Sequence, residues 1–152
     1  MRGEAVWLTL GWHDALCGID VGSQMPKLTV LIVDNSWEFR HLLKRLLRSS
    51  SEIEIIGEAE NGRQALDLTR LLQPDVVLMD VRMPRLNGLE STKLLKKEMP
   101  DTEVIVLSLH DIEEYREEAL ANGACRYIVK RNMVNELIPA IHETFHGKRL
   151  TF

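Results

Sequence analysis

The sequence predicts an α/β fold: a doubly wound, five-stranded parallel sheet with helices on both faces. Three observations carry that expectation. Four runs, at residues 28–33, 76–79, 104–107 and 125–129, are apolar with little alternation, as strands covered on both faces are. Segments of helical spacing follow each of them, so strand and helix signals alternate throughout residues 28–147. A fifth run, Ile53–Ala59, carries Glu54, Gly57 and Glu58 and reads as a less buried edge strand. Right-handed crossovers with an edge-like second strand favour the order 2-1-3-4-5.

Taken in order, the first strand Leu28–Val33 stops at Asp34. Ser36 can cap a helix whose apolar positions are Phe39, Leu42, Leu43, Leu46 and Leu47, and Ser49-Ser50-Ser51 breaks it. After the edge strand, Asn61-Gly62 turns into a helix with Ala65, Leu66, Leu68, Leu71 and Leu72. That helix must end before Pro74, which pushes Gln73 towards an extended conformation. The third strand ends at Asp80, and Met83-Pro84 and Asn87-Gly88 mark the loop before a helix over about 89–98. Met99-Pro100 closes it. The fourth strand ends at Ser108, and an acidic helix spans 112–121 until Asn122-Gly123 caps it. The fifth strand ends at Lys130, and a last helix is expected over about 134–146 with Gly147 beyond it. Pro139 falls inside that pattern, so the helix either starts late or bends there.

The chain has 152 residues, which suits one domain; 45% are apolar and 28% charged. A net charge of −4 and a pI near 5.7 argue against a general nucleic-acid or anionic-membrane surface. Cys17 and Cys125 are too few for a disulfide scaffold or a CxxC site, which makes a reducing cytoplasm the simplest setting. No apolar run approaches the roughly 20 residues of a membrane span. Residues 1–25 lack the long apolar region and cleavage site of a secretory signal and read as an appendage. The domain is expected over 26–147 with a short tail at 148–152, and Met25 could equally be its working start.

In such a sheet the carboxyl ends of the strands share one rim, where ligands bind. Here the rim collects Asp34-Asn35, Asp80, Ser108 and Lys130. Asp80 alone could merely cap a turn. Two carboxylates held close repel and call for a cation, and Mg²⁺ suits one or two carboxylates plus waters and phosphate oxygens. A carboxylate can attack phosphorus to give an aspartyl phosphate. Lys130 can neutralise a phosphoryl oxygen and Ser108 can donate a hydrogen bond to another. The set points to phosphoryl chemistry.

The segments Val-Asp34-Asn35-Ser-Trp-Glu-Phe-Arg40, Val-Leu-Met-Asp80-Val-Arg-Met-Pro84, Asn87-Gly88, Val-Leu-Ser108 and Gly123-Ala-Cys-Arg-Tyr127-Ile-Val-Lys130 resemble the receiver domain of bacterial response regulators, a CheY-like fold. The likeness covers roughly residues 28–147 in order and spacing. It implies that Asp80 is the phosphoacceptor, that Asp34 and the backbone carbonyl of Arg82 help hold Mg²⁺, and that Ser108 and Lys130 contact the phosphoryl group. It implies a switch pair, Ser108 and Tyr127, in which phosphorylation pulls Ser108 towards Asp80 and lets Tyr127 move inward. The donor would be a histidine kinase or phosphotransfer protein. Residues 83–89, with Glu136 and Leu137, look most like the NarL-type, LuxR-related branch.

The departures are as informative. Asn35 stands where the family has a second, metal-touching acid, and an amide oxygen there brings no charge to Mg²⁺. Arg131 replaces a frequent proline after the lysine. The branch usually continues into a helix-turn-helix, whereas this chain stops at Phe152, so no nucleic-acid binding is expected of it alone. A homodimer is possible. Alternatives are a degenerate receiver that docks or dimerises without phosphorylation, and the receiver part of a longer DNA-binding regulator. A separate enzyme is not expected, because the Asp-x-Asp pattern of aspartyl-phosphate hydrolases is broken by Arg82. His142-Glu143-Thr144-Phe145-His146 matches H-E-x-x-H, but a third zinc ligand is missing and the helix is explained by its apolar face.

Overall fold

A computed structural model describes residues 26–149; the appendage at 1–25 and the end of the tail at 150–152 lie outside the described residues. The elements are β1 (Leu28–Val33), α1 (Trp37–Leu47), β2 (Ile53–Ala59), α2 (Gly62–Leu72), β3 (Val76–Asp80), α3 (Gly88–Glu98), β4 (Glu103–Ser108), α4 (Glu113–Ala121), β5 (Arg126–Val129), a 3₁₀ turn (Lys130–Asn132) and α5 (Met133–Arg149). All five strands are parallel, in the order β2-β1-β3-β4-β5.

The apolar strand runs are explained by two separate cores. Leu31, Val33, Val77, Met79, Val104 and Val106 face one side, where α2, α3 and α4 supply Ala65, Leu66, Leu89, Leu95 and Ala119. The intervening residues Val30, Ile32, Leu78, Ile105 and Leu107 face the other, against Leu43 and Leu47 of α1 and Leu137 and Ile141 of α5. Successive side chains point to opposite faces, so a strand covered on both must be apolar at every position. Each such side chain contributes about 1.5–3 kcal/mol on burial.

Helices α1, α2 and α3 begin at polar caps. The side-chain oxygens of Ser36, Asn61 and Asn87 accept from the N–H of Phe39, Gln64 and Glu90 at 3.2, 2.9 and 2.9 Å, each worth about 1 kcal/mol. Gly88 is required by close approach: a Cβ there would stand 1.7 Å from the carbonyl oxygen of Asp80. The start of α3 is thereby packed onto the end of β3.

Several expectations are corrected. Gln73 is not extended but left-handed (φ 48°, ψ 58°), with its N–H on the Thr69 carbonyl. Pro74 disfavours the right-handed region for its predecessor, and the left-handed cap satisfies both the helix end and the proline. Helix α5 starts at Met133 and runs through Gly147 to Arg149. A solvent-facing glycine costs about 1 kcal/mol but does not stop a helix unless it turns left-handed, and Gly147 has open space around it. Pro139 sits inside α5, exposed like Asn135, whose carbonyl loses its donor and can turn to water. Leu42 and Leu71, counted on apolar faces, are exposed. Gly123 does take the left-handed cap, at φ +102°.

Candidate functional site

The carboxyl ends of β1, β3, β4 and β5 border a cleft of about 220 Å³ lined by Asp34, Asn35, Ser36, Asp80, Val81, Arg82, Ser108, Leu109, His110 and Lys130. The residues expected around the phosphoryl group and the metal therefore meet in one place, and Tyr127 lies outside that lining. Among them Asp34, Asp80, Ser108 and Lys130 are buried, and Asn35 is exposed at the mouth.

Lys130 holds the centre. Its Nζ lies 2.7 Å from Asp34 Oδ2 and 3.1 Å from Asp80 Oδ1, and 3.8 Å from the centroid of the Phe39 ring. The lysine leaves β5 at the start of the 3₁₀ turn, so its stem crosses the rim towards β1 and β3. Asp34 is fixed on both oxygens: Oδ1 accepts the Ser36 N–H at 2.8 Å and Oδ2 takes the ammonium. Its carbonyl accepts from Arg40 Nη1 at 2.7 Å. Arg40 is itself buried and reaches Glu58 and Glu60 at 3.1 and 3.4 Å. In the sequence Arg40 is only the last residue of the segment that begins at Asp34; a buried arginine strapping the β1–α1 loop to the end of β2 needs tertiary contacts to be seen.

Burial, followed by the neighbouring charge of Asp34, pushes Asp80 up from 3.8 to about 6, against the opposing pull of Lys130 and a hydrogen bond from Val81. At neutral pH Asp80 is therefore ionised but basic for a carboxylate, which suits a nucleophile. The Ser108 hydroxyl is turned into its own loop, accepting the His110 N–H at 3.2 Å. Tyr127 is buried, its hydroxyl donating to the His110 carbonyl at 2.8 Å, with the Arg116 guanidinium 4.8 Å from its ring centroid. The ring of the expected switch residue is thus packed inward, where the β4–α4 loop offers its hydroxyl an acceptor.

The donor set fits Mg²⁺. Asp34 and Asp80 offer hard carboxylate oxygens, with Asn35 and Arg82 on the same walls. Among the described residues no group of three His, Cys, Asp or Glu side chains is gathered for a metal. An ion held in this cleft would keep several waters, as Mg²⁺ does. The H-E-x-x-H pair forms no such site either: His142 Nδ1 is 3.0 Å from Glu52, and His146 is exposed. A larger groove of about 610 Å³ opens beside the cleft, between the β3–α3 loop and Tyr115 and Glu118 of α4. It lacks the carboxylate–lysine pairing that the smaller cleft contains. Among the described residues no helix is long and apolar enough to cross a membrane.

Comparisons with known proteins agree with this geometry. Residues 30–142 match the family model of the response regulator receiver domain. The transcriptional regulatory protein DegU of Brevibacillus brevis is 38% identical over 121 residues, 80% of this chain and 51% of that protein. The nitrate/nitrite response regulator protein NarL of Escherichia coli K12 is 32% identical over 126 residues, 83% of this chain and 58% of that protein. The response regulator domain of Thermotoga maritima CheB superposes with a TM-score of 0.74 at 34% identity, covering 79% of this chain and 97% of that one. The chain spans about half the length of the curated relatives it matches. Since DegU is named a transcriptional regulatory protein, the expectation of no nucleic-acid partner draws no support from these relatives.

Proposed function

Because the chain belongs to the response regulator receiver family, in its NarL-like branch, we propose that Asp80 is its phosphoacceptor and that a phosphohistidine of a kinase or phosphotransfer protein is the donor. A carboxylate oxygen of Asp80 forms the new bond to phosphorus while the bond from phosphorus to the imidazole nitrogen breaks. The departing imidazole keeps that electron pair and takes up a proton. The observation that carries this reading is the ammonium of Lys130 bridging Asp34 and Asp80 within a buried cleft.

Each side chain has a part. Lys130 stays beside the oxygen that Asp80 presents and neutralises a phosphoryl oxygen as charge develops. The Ser108 hydroxyl leaves the His110 N–H and donates to a second oxygen. Asp34, oriented by Ser36 and Lys130, would hold Mg²⁺ with Asp80, the Asn35 amide and the Arg82 carbonyl. Mg²⁺, which the family binds for phosphorylation, supplies positive charge to the transferring group when bound. The receiver accepts a group and changes partner affinity rather than turning over a separate substrate.

The test uses acetyl phosphate and Mg²⁺ with intact-mass detection. One added phosphoryl group is expected on the native chain and none on Asp80→Asn. Labelling that persists in the variant removes the mechanism. A native chain that takes up nothing favours the docking-module reading, to which the missing acid at Asn35 gives weight.

A further inference from the structure

We propose that Phe39 is a positioning residue for Lys130, its ring face forming the third wall of the seat that holds the ammonium between the two carboxylates. The proposal rests on the phosphoacceptor reading of the cleft. Lys130 Nζ has three neighbours of opposite electrostatic character to its own: Asp34 Oδ2 at 2.7 Å, Asp80 Oδ1 at 3.1 Å and the Phe39 ring centroid at 3.8 Å. A ring face attracts a cation without carrying a charge that must itself be neutralised. The ammonium is buried, so this attraction is poorly screened.

One turn of chain sets both the ring and the acid. Ser36 donates its N–H to Asp34 Oδ1 at 2.8 Å, and its hydroxyl accepts the N–H of Phe39 at 3.2 Å. The carboxylate and the backbone that carries the ring are therefore tied to one residue, Ser36. Lys130 arrives from the far side of the sheet and fills the gap. An aliphatic residue at 39 would satisfy the packing of α1 against its core but would leave the ammonium one wall short.

The seat has two opposed consequences. It keeps Lys130 poised beside Asp80, where a phosphoryl oxygen will need it. It also lets the ammonium occupy the Asp34 oxygen that a divalent cation needs, so an incoming ion must displace it there. Weakening the seat should ease metal entry and slow phosphoryl uptake. A residue with a merely structural role would move both in the same direction.

The test compares the full chain with Phe39→Leu, Phe39→Met and Phe39→Tyr, the second variant covering the case in which the first fails to fold. In chelator, the NMR signals of the Lys130 ε-methylene and Nζ should be displaced by the ring in the native chain and in Phe39→Tyr, and lose that displacement in the aliphatic variants. Mg²⁺ titration, followed by the amide shifts of Asp34 and Asn35, should show about three- to tenfold tighter binding in the aliphatic variants. Phosphoryl uptake from acetyl phosphate at saturating Mg²⁺ should fall by a similar factor, with Phe39→Tyr restoring both. Lys130 signals that do not change on losing the ring overturn the proposal. Mg²⁺ binding and phosphoryl uptake that weaken together overturn it as well, leaving Phe39 as packing. A native chain that accepts no phosphoryl group overturns the phosphoacceptor reading alone, since the chelator measurement still decides the seat.

Discussion

Asn35 lines the mouth of the cleft beside Asp34 and Asp80 but brings no charge to it. Removing one anion from beside a dication costs on the order of 1.4–3 kcal/mol after screening, which corresponds to Mg²⁺ affinity about ten- to a hundredfold weaker than with two flanking acids. Asn35→Asp should tighten Mg²⁺ binding, speed uptake from a small phosphodonor and slightly destabilise the metal-free protein by adding repulsion around Asp80. A Mg²⁺ titration followed by Trp37 fluorescence checks the first effect, because Trp37 is exposed two residues away; thermal melts in chelator check the last. Equal Mg²⁺ affinity in the two forms would place residue 35 away from the metal. At this scale the acids, serine and lysine of the rim were legible because each ends an apolar strand. The seat on Phe39 and the strap through Arg40 were not. A phenylalanine at helical spacing reads as core, and nothing local distinguishes a ring edge packed on leucine from a ring face under an ammonium.

Among the elements, the β4–α4 loop joins the reacting site to the surface. His110 is its joint: its N–H donates to the Ser108 hydroxyl and its carbonyl accepts from the Tyr127 hydroxyl. In the proposed phosphorylated state Ser108 turns to a phosphoryl oxygen, so the His110 N–H would lose its acceptor and the loop would shift, while Tyr127 still tethers the carbonyl. Phosphorylation should therefore raise amide exchange at His110 and spread changes into α4 and β5. Tyr127→Phe should loosen the same loop without any phosphoryl group, by removing one hydrogen bond worth about 0.5–1.5 kcal/mol. Exchange changes confined to residues 80–88 on phosphorylation would count against this linkage. The helix boundaries show where element reading runs out. Ser36 was readable as a cap, while Asn61 and Asn87 read as turns and prove to cap as well; α5 passes Pro139 and Gly147, both of which are exposed. Leu42 and Leu71 carry the helical period but point past their neighbours, since a spacing argument locates a stripe and not its width.

For the whole molecule, two well-filled cores hold an unfavourable rim in place, and pH measures what that rim costs. Asp80 has a folded-state value near 6 against 3.8 for the ordinary group, chiefly from burial and then from Asp34. The native state thus keeps its proton to higher pH than the unfolded chain does. With the folded value raised, this group's contribution to stability is full below about pH 4, falls as pH rises through the window from about 4 to 6, and is constant above it. Holding Asp80 ionised at pH 8 costs on the order of 1–3 kcal/mol by that shift. Asp80→Asn should then be more stable than the native chain at pH 8 in chelator, and its advantage should shrink as pH falls towards 4. Adding Mg²⁺ at pH 8 should stabilise the native chain and narrow the gap, because the ion binds the folded carboxylates. Urea melts of both proteins at pH 4.5, 6 and 8, with and without Mg²⁺, read all three effects. An advantage of Asp80→Asn that is the same at every pH would mean that the gain comes from packing or hydrogen bonding, and that the charge at the end of β3 is not what the fold works against.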